Sequence, residues 1–137
     1  MNEYDKLGKD IIGAAFNVRK HAGRGMLEKF YESALAYEIE QLGYSLSRQV
    51  AIPAIYRGQI IQESYRADII VENKVIIEVK AIPYMDSLQG CQLNTYLKLS
   101  GYKLGYLINF GARDFRTGSL YEELPYEYGI YRMVNNI

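Results

Sequence analysis

The sequence predicts an α/β (α+β) fold in which helices flank a central mixed β-sheet. Two amphipathic helical patterns open the chain, and most later apolar runs are short and rich in Val, Ile and Tyr. The predicted order, α-α-β-β-β-α-β-β, implies helices packed against a mixed sheet. The 137 residues, 1–137, are expected to form a single domain, because this length suits one domain and the sequence contains no repeat or linker.

The two N-terminal helices are predicted from apolar residues spaced three and four positions apart. The first spans about 5–21 and ends at the stretch GRG, Gly23–Gly25. The second spans about 27–42 and ends at Gly43. The apolar stripe of the first helix contains Leu7, Ile11, Ile12, Ala15, Phe16 and Val18.

Three consecutive strands are predicted next, at about 45–56, 60–71 and 75–80. Pro53 indicates that the first of them is an edge strand or contains a bulge, because proline cannot donate a ladder hydrogen bond. The dipeptide RG at 57–58 predicts the turn between the first two strands.

The last third of the chain predicts one more helix and two more strands. The helix spans about 86–100, and the dipeptide SG at its end stops it. The run KLGYLINF, 103–110, predicts a buried strand, and YGIYRMV, 128–134, predicts the final strand of the same sheet. Residues 111–126 are predicted to be a loop.

Composition restricts the class of protein. Lys and Arg total 16 and Asp and Glu total 16, so the net charge is zero and gives no overall attraction to nucleic acid or anionic lipid. The one cysteine excludes an internal disulfide framework. No apolar run reaches the roughly 18 residues of a membrane helix, and the start lacks a signal-peptide pattern. We therefore expect a cytoplasmic protein.

The stretch YRADIIVENKVIIEVKA, 65–81, predicts a hairpin with charged residues inside apolar strands. Strand side chains alternate between faces, so a three-residue ENK turn places all the Val residues and Ile69 and Ile77 on one face with Ala67. The other face then carries Asp68 directly opposite Glu78, and Arg66 opposite Lys80. The tight connection favours a left-handed backbone at Asn73 or Lys74, which asparagine tolerates best.

Two carboxylates that face each other across a strand pair destabilise a sheet, unless a cation lies between them. Mg²⁺ and Mn²⁺ prefer carboxylate oxygens, and Lys80 points to the same side as Glu78. A lysine there would hold a water or stabilise a developing phosphorane charge. The alternative is an exposed sheet face on which these charges form surface ion pairs.

The pattern RAD, followed after a hairpin by EVK, resembles the PD-(D/E)XK nuclease superfamily, and more closely its GxxExxY protein family. The segment GMLEKFY supplies the naming pattern with Gly25, Glu28 and Tyr31. YESALAYEIEQLGY, the hairpin stretch and CQLNTYLKLSGYKLGYLINFG resemble the family's successive blocks, over about residues 5–111. The sequence departs from the family in having GRG where relatives often have GPG, and Arg19 where they often have His.

The resemblance implies a restriction-endonuclease-like αβββαβ core and a metal-dependent site that cleaves phosphodiester bonds, with Mg²⁺ or Mn²⁺ as cofactor. Carried over by position, Asp68 and Glu78 are metal ligands together with the carbonyl of Val79, and Lys80 positions the attacking water. Glu28 is an additional acid at the metal site. Gln92 and Tyr96 match the QxxxY pattern of RecB-like members.

Several of these residues have plainer interpretations. Glu28 suits the first turn of a helix through the helix dipole alone. Gln92 and Tyr96 lie four residues apart and suit an amphipathic seam. Four cations precede and follow the loop that leads to Glu28, and they form either a phosphate-contact patch or a solvated helix end: Arg19, Lys20, Arg24 and Lys29.

Three functional hypotheses follow. The first is a metal-dependent nuclease that acts on nucleic acid, with DNA as the expected substrate. The second is a catalytically inactive module of the same fold that binds nucleic acid or a protein. The third is a homodimer or partner-completed protein in which the Tyr-rich tail from residue 119 covers a sheet edge of another copy, although a final strand in its own sheet is the preferred interpretation.

Overall fold

The computed structural model describes residues 2–135, apart from the side chains of residues 62–64. Within these residues the chain forms three helices and six strands. The elements in chain order are α1 (Glu3–Ala22), α2 (Glu28–Gln41), β1 (Leu46–Tyr56), β2 (Gln59–Val71), β3 (Val75–Lys80), α3 (Ser87–Ser100), β4 (Leu104–Asn109), β5 (Asp114–Gly118) and β6 (Tyr128–Val134).

The six described strands form one mixed sheet in the order β1-β2-β3-β4-β6-β5. The first three strands are antiparallel neighbours, and β4 lies parallel to β3. Such a parallel pair needs a long crossover, which α3 provides. This arrangement confirms the predicted mixed sheet with flanking helices. Among the described residues, no helix combines the length and the apolar character needed to cross a membrane.

Both N-terminal helices form where the apolar spacing predicts them. The side chain of Asn2 caps α1 by accepting a hydrogen bond from the backbone N–H of Asp5 at 3.0 Å. Gly23 ends α1 with a φ of 67°, a conformation that glycine adopts without steric cost. Both helices pack one apolar face on the sheet, which is why their periodicity was visible in the sequence.

The strand β1 is an edge strand with an irregularity, as Pro53 predicts. Its pairing register with β2 shifts between Ile52 and Ala54. The turn that joins the two strands uses Arg57 and Gly58, both with positive φ. This geometry suits the right-handed twist of a two-residue hairpin.

The connection between β2 and β3 is the predicted three-residue turn, and Val71 pairs with Val75. Of the two positions expected to be left-handed, Asn73 takes that conformation, and Glu72, for which it was not expected, takes it as well. We expected the ladder to continue with Asp68 opposite Glu78 and Arg66 opposite Lys80, but these residues do not pair through their backbones. Ladder pairing ends at Ile69 and Ile77, because side chains replace backbone partners beyond that point.

The expected loop at 111–126 is also wrong in part, because it contains β5. This strand has five residues, DFRTG, and none of its side chains is fully buried. A short edge strand of this kind shows no apolar alternation, so the sequence carries no signal for it. The last predicted strand is confirmed as β6, which pairs with β4 and β5 in its own sheet. Residues 136 and 137 of the Tyr-rich tail lie outside the described residues.

The sheet has a buried core on each face, whereas the sequence predicted one core face and one site face. One core packs α1 and α2 against Ile69, Val71, Val75, Ile77 and Val79. The other packs α3 against Ile70 and Ile76, and it also contains Ala67, which was expected on the first face. The regular division of β2 into two faces therefore stops at Asp68, where the ladder with β3 stops as well.

The contact between α1 and β4 gives a test of this packing. A Cβ atom added at Gly8 would lie 2.3 Å from the hydroxyl oxygen of Tyr106. We expect Gly8→Ala to lower the free energy of unfolding by about 1–2 kcal/mol, because overpacking outweighs the gain in helix propensity. Adding Tyr106→Phe should recover part of that loss, as measured by urea denaturation.

Gly13 is the matched control for this experiment. It lies in the same helix, and a Cβ atom there would meet nothing within 4 Å. Gly13→Ala should therefore stabilise the protein by up to about 1 kcal/mol. Equal effects of the two alanine substitutions would contradict the described packing of α1.

Candidate functional site

The carboxylates of Asp68 and Glu78 accept backbone hydrogen bonds across the point where β2 and β3 separate. The backbone N–H of Asp68 donates to Glu78 Oε2 at 2.8 Å, and the backbone N–H of Val79 donates to Asp68 Oδ2 at 2.8 Å. Each carboxylate thus replaces a backbone partner of the opposite strand. The structure therefore brings together the two acids that the sequence predicted to be neighbours.

Burial makes this pair of carboxylates expensive to ionise. Glu78 is 2% exposed, and desolvation, followed by repulsion from Asp68, raises its pKa to about 8. The pKa of Asp68 is raised mainly by desolvation, although the Val79 N–H opposes this shift. A cation at this point would remove the repulsion that raises the pKa of Glu78.

Lys80 begins a chain of polar contacts that runs onto α3. Its Nζ donates to Gln92 Oε1 at 3.2 Å, and Gln92 Nε2 donates to the Tyr96 hydroxyl at 3.0 Å. Burial, followed by the negative charge of Glu78, raises the pKa of Tyr96 to about 12. The ring of Tyr65 lies 5.5 Å from the ring of Tyr96. Lys80, Gln92 and Tyr96 therefore form one group on the α3 side of the acids.

Glu28 is the first residue of α2, as the sequence predicted. Its pKa is raised by partial desolvation and by the charges of Asp68 and Glu32, while Lys80 opposes the rise. The charges of Asp68 and Lys80 act on Glu28, so its carboxyl lies within electrostatic range of the acids. Its side chain is exposed and has no hydrogen bond to Asp68 or Glu78.

Tyr31 explains how the loop before Glu28 is held. Its hydroxyl donates to the carbonyl oxygen of Gly23 at 2.6 Å and accepts from the N–H of Met26 at 3.1 Å. Its buried ring stacks on Phe110 at 4.7 Å. The aromatic residue therefore ties the entry to α2 to the sheet, and so sets the position of Glu28.

Three site residues were missed by sequence reasoning. Glu32 is 3% exposed, and its two oxygens accept from Arg48 Nε at 2.9 Å and Gln49 Nε2 at 2.8 Å. Gln49 Nε2 also donates to Asp68 Oδ1 at 3.2 Å. The only signal in the sequence is that Glu32 lies one helical turn after Glu28, within an apolar stripe.

The four predicted phosphate-contact cations differ in their contacts. Arg19 lies 5.0 Å from the ring of Phe115, and its Nη2 donates to the Arg113 carbonyl oxygen at 3.3 Å. Arg24 Nε donates to the Gly111 carbonyl oxygen at 3.2 Å. The side chains of Lys20 and Lys29 are exposed. Arg19 and Arg24 therefore hold the residues that follow β4, whereas the two lysines are open to solvent.

The acids present fit a cation that takes part of its ligands from water and substrate. Within residues 2–135, no group of three or more His, Cys, Asp and Glu side chains forms a ready metal cluster. Mg²⁺ commonly uses only one or two carboxylates and keeps several waters. Asp68 and Glu78 provide such a pair of hard oxygen donors, with the peptide of Val79 beside them and Glu28 further away.

Comparison with known proteins agrees with this geometry. A family model described as the PD-(D/E)XK nuclease superfamily matches residues 5–120, a range that contains all the candidate site residues. The mixed sheet with flanking helices is that of the restriction-endonuclease-like fold of this superfamily, which confirms the predicted fold. No curated protein and no solved structure matches the chain.

The raised pKa of Glu78 predicts how stability depends on pH in the presence of a chelator. A carboxyl whose pKa is higher in the folded state stabilises the fold below its unfolded pKa, and this contribution is lost as the pH rises towards about 8. Glu78→Gln removes the charge, so it should stabilise the protein relative to wild type by on the order of 1–3 kcal/mol at pH 9. The gain should be much smaller at pH 5, and thermal unfolding at both pH values measures it.

Glu40→Gln is the control, since Glu40 is exposed at the other end of α2. Its effect on unfolding should be small and the same at both pH values. A difference between wild type and Glu78→Gln that does not change with pH would refute the raised pKa.

Proposed function

The chain belongs to the PD-(D/E)XK nuclease superfamily, and on that premise we propose that it is a metal-dependent nuclease that hydrolyses phosphodiester bonds in DNA. The observation that carries the proposal is the buried contact between Asp68 and Glu78, with Lys80 two residues further along β3. A surface ion-pair arrangement does not account for it, because Glu78 is buried and accepts from the backbone N–H of Asp68, not from a cationic side chain.

In the proposed site, Asp68, Glu78 and the carbonyl oxygen of Val79 hold Mg²⁺ or Mn²⁺, which supplies Lewis acidity and positive charge when bound. Lys80 orients the attacking water for in-line displacement at phosphorus. Gln92 accepts a hydrogen bond from Lys80 Nζ and thereby directs the ammonium group. Glu28 accepts a proton or adds a ligand at the open side of the site, for which its exposed position is suitable.

We further propose that the chain is a member of the GxxExxY family, in a single domain that acts in the cytoplasm. The contacts of Tyr31 support the first part, since its bonds to Gly23 and Met26 hold the loop that places the start of α2, where Glu28 of that pattern lies. Lys20 and Lys29 are the cations available for phosphate contact, and they would position the substrate without reading its sequence.

The alternative is a module of the same fold that binds nucleic acid or protein without chemistry. The zero net charge favours it, because strong sequence-independent binding to nucleic acid depends on many cations. Calorimetry with Mn²⁺ separates the two functions. Binding of Mn²⁺ that disappears in Asp68→Asn supports the nuclease, and a protein that binds DNA but no Mn²⁺ supports the module.

Cleavage assays test the proposal directly. Plasmid DNA and single-stranded DNA incubated with Mn²⁺ should be cut by the wild type, while Asp68→Ala and Lys80→Ala should lower the rate about 100-fold or more. Product formation on gels at several enzyme concentrations measures the effect.

Lys98→Ala is the matched control for the lysine substitution, because Lys98 is exposed in the last turn of α3. It should leave the rate within about twofold of wild type, as expected for a surface change. Identical residual cleavage by all the variants would indicate a contaminating nuclease and reject the proposed function.

A further inference from the structure

Gln49 has an unusual backbone for the middle of a strand. Its φ is 52°, in the left-handed region that residues other than glycine rarely adopt. Its neighbours keep the ladder with β2, since Arg48 pairs with Ile69 and Val50 pairs with Ala67. Gln49 therefore lies opposite Asp68. Such backbone strain persists only where surrounding contacts hold it, and it is concentrated at functional sites.

Hydrogen bonds hold Gln49 in place through both its backbone carbonyl and its side-chain amide. Arg66 Nη1 donates to the Gln49 carbonyl oxygen at 3.1 Å. The Nε2 group donates to Glu32 Oε1 at 2.8 Å and to Asp68 Oδ1 at 3.2 Å. Both hydrogens of one amide group are thus directed at two acids.

Glu32 gives this amide a rigid support. Its other oxygen accepts from Arg48 Nε at 2.9 Å, and Arg48 Nη2 donates to Ser33 Oγ at 2.8 Å. Glu32 is 3% exposed, so its position is set by packing as well as by these bonds. A buried carboxylate that is bonded on both oxygens has little freedom to move.

These hydrogen bonds set the orientation of the Asp68 carboxylate, because each of its two oxygens accepts one. Oδ2 accepts from the Val79 N–H, and Oδ1 accepts from Gln49. Each carboxylate oxygen has two lone pairs, so each keeps one that is free for a cation. Hydrogen bonds of this kind commonly set the direction of a metal ligand.

We infer that Gln49, supported by Glu32, is a positioning residue that holds the Asp68 carboxylate in the orientation that binds the divalent cation. This inference rests on the proposed function, because it assigns Asp68 as a ligand. Gln49 itself touches neither substrate nor metal. The competing interpretation is that its amide only separates the acids Glu32 and Asp68 and supports the fold.

Replacing Gln49 by glycine distinguishes the two interpretations. Glycine adopts the left-handed backbone without strain, so Gln49→Gly keeps the backbone geometry and removes the whole side chain with its amide. Gln49→Asn is the second variant, because asparagine tolerates this backbone but its amide is one methylene shorter and does not span the two acids. The whole chain is used, with circular dichroism to confirm folding and the Tm recorded for each variant.

The matched control is Arg57→Gly, which also replaces a left-handed residue by glycine, in the turn between β1 and β2. The dissociation constant for Mn²⁺, measured by calorimetry well below the Tm, is the main readout. We expect Gln49→Gly and Gln49→Asn to weaken Mn²⁺ binding about 10- to 100-fold, Arg57→Gly to leave it unchanged, and Asp68→Asn to abolish it.

Two outcomes reject the inference. If both Gln49 variants bind Mn²⁺ within about twofold of wild type, whatever their Tm, Gln49 has a structural role only, while Asp68-dependent binding leaves the proposed function intact. If Gln49→Gly does not fold, Gln49→Asn decides by the same criterion. If the wild type shows no Mn²⁺ binding that depends on Asp68, both the inference and the proposed function fall.

Discussion

The site depends on two hydrogen bonds between β2 and β3, from the Asp68 N–H to the Glu78 carboxylate and from the Val79 N–H to the Asp68 carboxylate. Each carboxylate accepts a backbone N–H from the other residue's strand, and the regular ladder between β2 and β3 ends at that point. The two strands therefore separate without leaving these N–H groups unpaired. The opening that results is where acids from β2 and β3, and a lysine from β3, meet.

Two neighbouring carboxyl groups that are shielded from water are costly to ionise, and the surrounding residues reduce that free-energy cost. Val79, Gln49 and the Asp68 backbone donate hydrogen bonds to the carboxylates, and the positive charge of Lys80 acts on both. Even so, the pKa of Glu78 remains well above its ordinary value. The folded protein thus retains an electrostatic strain that a bound cation would relieve, which is a common feature of functional sites.

Two helices approach the acids from different directions and have different roles. The first two turns of α2 bring Glu28 and Glu32, and Tyr31 between them ties this end of the helix to the sheet through Phe110. The parallel pairing of β3 and β4 requires a crossover connection. The helix of that crossover, α3, brings Gln92 and Tyr96 to Lys80. The site is therefore assembled from elements that the core packing already fixes in place.

The sequence by itself determined most of the elements of this protein, because periodicity and turn chemistry are local. The helices, the hairpin with its three-residue turn, and the grouping of Asp68, Glu78 and Lys80 all follow from residues close together in the chain. The short edge strand β5 carries no such pattern and was missed.

Only the tertiary structure decided which residues surround Asp68. Gln49 and Glu32 are 17 residues apart, and Gln49 and Asp68 are 19 apart, so no local pattern relates them. The second core, which covers the other face of the hairpin, likewise depends on where α3 packs after its crossover. Contacts of this kind arise from the folding of distant segments onto one another, and a strained backbone such as that of Gln49 exists only because those contacts hold it.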